Sequence, residues 1–190
     1  MSRARFALAL SLLALPAAAQ DFSAGSEAAS WGLLGESPAR FSAEVVDVLC
    51  QITGDCPPDC GVGARQLGLL RTADGVLVLP MKNGQPVFSG AVADLAPFCG
   101  QTVEVDGLLV GEPEATPAQF YMVQRIRPEG VADFVPADRF TATWAVANPE
   151  AAAAGGDWFR ADPAVRGFIA REGYLGLGLE TDRVFIEDWF

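Results

Sequence analysis

The chain has no histidine and a single lysine, Lys82. Without histidine, Ser-His-Asp and Cys-His catalysis and His-ligated zinc, copper or haem are excluded within the chain. Positive charge is scarce: 13 basic residues stand against 24 acidic ones, for a net charge of -11, and no basic stretch occurs. Phosphate neutralisation supplies most nucleic-acid affinity, so no nucleic-acid partner is expected. No apolar run reaches the ~20 residues of a membrane-spanning helix, so no membrane span is expected either. What remains is 190 residues, 51% of them hydrophobic and only 19% charged. That suffices for one ordinary domain, or a small domain with a long appendage, and is too apolar for a disordered chain.

Residues 1–19 read as a secretory signal peptide. Arg3 and Arg5 form a basic start, residues 6–15 are apolar except Ser11, Pro16 breaks the helix, and Ala17-Ala18-Ala19 supplies the small residues of a cleavage site. Cleavage after Ala19 takes the net charge from -11 to -13. The expected destination is the periplasm or the exterior. Residues 20–40 lack periodicity and read as a lead-in, with Trp31, Leu33 and Leu34 as docking residues.

A β pattern begins at Phe41. Residues 41–50 form an apolar strand ending at Cys50, residues 54–63 a turn-rich loop, and residues 66–70 a second strand. Asp74-Gly75 makes a hairpin turn into a third strand over residues 76–80, followed by a turn at Lys82-Asn83-Gly84. Residues 92–99 suit a short helix capped by Gly100. Residues 102–110 alternate, with Val103, Val105 and Leu108 inward, Glu104 and Asp106 outward, and a bulge or bend at Gly107. After a Pro/Glu-rich loop over 111–118, residues 120–126 alternate again, with Phe120, Met122 and Ile126 set against Tyr121 and Arg125.

Five strands with a helix between the third and fourth follow the element order of the OB-fold. Residues 41–128 resemble that family, above all in the segment 102–107 followed by 120–126. The resemblance implies a mainly β fold: a small five-stranded OB-like Greek-key barrel with one short helix, of a secreted bacterial kind. It brings no catalytic motif. Another small antiparallel barrel or an α+β sheet is the alternative.

Residues 129–190 read as a helical, aromatic-rich C-terminal extension. Residues 142–156 are rich in alanine and glycine. Asp162-Pro163 opens a helix whose stripe is Val165, Phe168 and Ile169, and Gly173 closes it. Ten residues do not hold a helix alone, so it must dock, and the barrel is the expected surface. Thr181 suits the cap of a last turn carrying Val184, Phe185 and Trp189. Seven of the 18 aromatics fall in the last 33 residues. One reading packs them on the barrel; the other leaves Tyr174, Phe185, Trp189 and Phe190 exposed as anchors for a partner protein.

The four cysteines are Cys50, Cys56, Cys60 and Cys99. An even count in an exported chain reads as two disulfides. The OB-like order implies that all four gather at one barrel pole, and the preferred pairing is Cys50–Cys99 with Cys56–Cys60. The alternative is a zinc or copper site on the same four residues, or thiol redox chemistry. Cys56-Pro57-Pro58-Asp59-Cys60 resembles the CPxxC element of Sco-type copper chaperones, but the histidine and thioredoxin-like pattern of those proteins are missing. Asp55 and Asp59 suit turns more than calcium, and Ser89 lacks a nucleophile-elbow pattern. The expectation is a periplasmic, non-catalytic accessory protein without cofactor, acting on a partner protein. The alternative is a cysteine-based metal or redox protein.

Overall fold

The computed structural model describes residues 20–82, 91–111 and 119–189. The expected signal peptide over 1–19, the residues Asn83 and Gly84, Ser89, the expected loop over 112–118 and Phe190 lie outside the described residues.

Strand β1 (Ser37–Asp47) is the spine of the barrel. Ala39, Phe41, Ala43 and Val45 alternate into the interior and are buried. The strand is long enough to serve two neighbours: Ala43–Asp47 pair antiparallel with β2 (Leu67–Arg71), and Ser37–Glu44 pair antiparallel with β4 (Thr102–Val110). β2 turns through Asp74-Gly75 into β3 (Leu77–Met81). β5 (Gln119–Pro128) pairs antiparallel with β4 and parallel with β3, Val78 standing opposite Gln119. That parallel contact closes a mixed five-stranded barrel, compatible with the expected OB-like barrel. β6 (Val135–Pro136) lies outside the ring, along β5. Among the described residues no helix is long and apolar enough to cross a membrane.

The first strand stops earlier than the sequence suggested. Asp47 Oδ1 accepts from the amides of Leu49 (2.8 Å) and Cys50 (3.1 Å), so the chain leaves the sheet as helix α1 (Val48–Thr53). Gly54, at φ 77°, ends it. The expected inward set on β5 holds for Met122 and Ile126, both buried, and is corrected at Phe120. Tyr121 and Val123 face the core, while Phe120 is partly exposed. Asp106 pairs with Arg125 and Gly107 with Val123, which leaves Gln124 as an extra residue. This bulge moves the inward phase from Tyr121 and Val123 to Ile126. Tyr121 tolerates full burial because its hydroxyl donates to the Ala39 carbonyl at 2.9 Å.

Helix α2 (Val92–Leu95) runs into a 3-10 turn (Ala96–Phe98) and covers the barrel with Leu95 and Phe98. The lead-in docks only in part by the expected residues: Leu33 is half-buried and Trp31 lies against the helical region, but Leu34 is exposed, and the apolar anchor is Phe22, edge-on to Phe41 and beneath the Arg71 guanidinium.

The C-terminal region is helical: α3 (Arg139–Ala147), α4 (Pro149–Ala153), α5 (Trp158–Ala161), α6 (Pro163–Glu172) and α7 (Leu179–Trp189). The amide at the start of α3 donates to Asp94 Oδ1 at 2.9 Å. Asp162 caps α6 as expected and also accepts from the Trp144 indole, tying α6 to α3. The main packing partners of α6 are α5 and α7 rather than the barrel. Its stripe is too narrow to reach past them, and Phe168 stays exposed.

Candidate functional site

The four cysteines do meet at one pole, but paired differently from the preferred connectivity. Cys50 bonds Cys56 and Cys60 bonds Cys99, with Cα separations of 4.5 and 5.9 Å. The unexpected helix α1 is the reason: it turns Cys50 back over its own loop towards Cys56. Cys60, buried beneath the loop, is left facing the end of the 3-10 turn that carries Cys99. All four sulfurs are spent in disulfides. Among the described residues no other cluster of cysteine or carboxylate side chains is disposed to hold a metal ion. The two disulfides fit an oxidising compartment.

The tail residues sit on an arm. A carboxylate, Asp182, shapes it: buried within α7, it accepts from the amides of Leu175 (2.6 Å) and Leu177 (3.0 Å) and so fixes the glycine-rich connection to α6. Sequence reading assigned the cap to Thr181, but α7 begins two residues earlier, at Leu179. The arm exposes Phe168, Tyr174, Leu177, Leu179, Val184 and Phe185, with Tyr174 at 76%. A shallow hollow at Val184 and Phe185 is flanked by Glu180 and Asp188, one turn away on either side. Tyr174 and Phe185 therefore share the arm, and Trp189 ends its last helix.

Sequence reading missed a third feature. A cleft of about 490 Å³ opens between β5 and helices α3, α4 and α5. Trp31, Trp144, Trp158 and Phe159 line it, so three of the chain's four tryptophans converge there from distant positions. Trp144 and Trp158 lie 5.6 Å apart, and Phe140 packs edge-on to Trp158 at 5.0 Å. Small residues, among them Ala145, Ala152 and Gly156, keep the cleft open. This is what the alanine- and glycine-rich run over 142–156 provides, and it was the one available signal.

Lys82 also lines the cleft. Its ammonium donates to the carbonyls of Val123 (3.0 Å) and Ala137. Burial pushes its pKa below the ordinary lysine value, while Asp94 and Asp138 draw it partly back. Comparison with protein families, curated proteins and solved structures finds no match to this chain.

Proposed function

We propose that the chain is an exported, non-catalytic binding protein, with a barrel of the OB-fold class as its frame and the α6–α7 arm as its recognition element. The observation that carries this reading is the arm's exposed apolar surface, held by a buried carboxylate and packed mainly on α5. A helical arm of this kind suits an apolar groove on another protein. Its charges favour a foreign partner over a second copy. Antiparallel pairing of two α7 helices about Val184 would set Glu180 against Asp188, two like charges. A groove rimmed by Lys or Arg meets both. The basic, apolar and Ala-X-Ala segments at the N-terminus and the oxidised cysteines support export.

Truncation after Gly178 tests the reading. The shortened protein should melt close to the full chain and should no longer retain the partner that the full chain captures by crosslinking in its own compartment. A truncated protein that fails to fold would make Phe185 part of the core. One that folds and keeps the partner would place the interface elsewhere.

A further inference from the structure

We propose that the cleft between the barrel and the helical extension is a second, small-molecule site, taking an uncharged and largely apolar ligand that carries a carbonyl oxygen. The size matches ligand pockets, which run from ~300 to 1,000 Å³. The walls are aromatic and the floor is alanine and glycine, so the body of the ligand is flat and apolar.

Hydrogen-bonding capacity at the cleft decides the head group. The Trp144 N–H is spent on Asp162 at 2.6 Å, and Gln124 spends its amide oxygen and one of its two N–H groups on the backbone of Ala29. Besides the second Gln124 N–H, two donors are left over among the described residues. An ammonium has three N–H groups, and Lys82 commits two to the carbonyls of Val123 and Ala137. The buried Trp158 indole N–H has no acceptor among the described residues. A buried donor without a partner costs stability, and an incoming carbonyl oxygen removes that cost. Charge excludes ions of either sign. A cation meets Lys82; an anion meets Asp138 in a chain that is already strongly acidic. Asp157 is itself neutralised by Arg160 at 3.1 Å, and Lys82 lies in the field of Asp94 and Asp138. A neutral ligand is the one these walls accept.

Three fluorescent probes test this on the full chain: the neutral naphthyl ketone prodan, the neutral phenylnaphthylamine without a carbonyl, and anilinonaphthalene sulfonate. Prodan should bind with blue-shifted emission and quench the cleft tryptophans; phenylnaphthylamine should bind more weakly, and the sulfonate weakest. Lys82→Met should weaken prodan about tenfold, the value of one hydrogen bond to a charged donor, and leave phenylnaphthylamine unchanged. Retained phenylnaphthylamine binding also shows that the variant keeps its cleft. Trp158→Phe, which removes the indole N–H together with its five-membered ring, should weaken prodan more than phenylnaphthylamine and decides the matter if Lys82→Met does not fold. Ala152→Trp should fill the cleft and abolish both neutral probes. The proposal is overturned if neither neutral probe binds, if the sulfonate binds as tightly as prodan, if prodan is indifferent to the variants that fold, or if Ala152→Trp leaves binding intact.

Discussion

Asp106 points outward from β4 and is nevertheless fully buried, because the lead-in folds over it. Ser26 Oγ donates to it at 2.6 Å, the Glu27 amide at 3.0 Å, and Arg125 forms an ion pair with it. Burial pushes its pKa up, but these donors, Arg125 first, prevail and hold it below the ordinary carboxylate value. A depressed folded value means that the unfolded chain binds the proton first. The stabilisation is complete above about pH 4 and is lost as pH falls through the folded value. Asp106→Ala should cost about 3 kcal/mol at neutral pH, the typical penalty for stranding one partner of a buried ion pair. Asp106→Asn should flatten the acid limb. Urea midpoints across an acid series measure both, and proteolysis within residues 20–36 reports whether the lead-in has lifted. Gly107 beside it is required for a different reason: a Cβ there would drive into the Met122 carbonyl oxygen. Gly107→Ala should destabilise by roughly 3 kcal/mol, the upper end for overpacking, seen as a lower denaturation midpoint. Gly107 was legible in the sequence as a bend. Asp106 was not, since an acidic residue in an alternating strand looks the same whether water or a folded-back segment covers it. Nor was Gln124, whose role as an extra residue depends on the partner strand.

At the scale of elements, the two disulfides do unequal work. Cys60–Cys99 closes a separation of 39 residues and Cys50–Cys56 one of 6. Chain-entropy arguments give roughly 4 kcal/mol for the long bridge and about 2 kcal/mol for the short one. Replacing Cys60 and Cys99 together by serine should therefore lower the melting temperature about twice as far as replacing Cys50 and Cys56, by differential scanning calorimetry. Asp162 couples elements differently: it caps α6 and receives the Trp144 indole. Asp162→Ala should remove both bonds, cost about 2 kcal/mol and loosen the arm before the barrel, visible as early hydrogen exchange in α6. The strands, the hairpin at Asp74-Gly75 and the Asp162-Pro163 start were readable because turn residues and caps act locally. Helix α1 escaped because its apolar letters, Val48, Leu49 and Ile52, also suit a strand, and the side-chain cap of Asp47 decided between them. The cleft escaped because it is assembled from residues 31, 82, 144 and 158, which no local pattern links.

For the whole molecule, charge overrides architecture. OB-fold barrels, with which this one is compatible, often hold single-stranded nucleic acid in a basic, aromatic groove. Here the net charge is -11 with one lysine, itself committed to two backbone carbonyls. Fluorescence anisotropy with a labelled oligonucleotide at physiological salt should show no binding in the micromolar range. Closure of the ring has a further consequence, which concerns how the protein comes to be folded. Each barrel strand borders two others, so the native barrel offers no long open edge for another chain to extend. The contact that removes the edges is a distant one: Val78 must find Gln119 across the intervening α2 and β4. Until then the edges of β3 and β5 are unpaired and the inward faces of both strands are wet. Pairings of such long sequence range form slowly. The hazard of sticking to neighbours thus belongs to the interval before closure and not to the finished barrel. Refolding by dilution should be slow, and its yield should fall steeply with protein concentration, whereas the native protein at the same concentration stays dispersed.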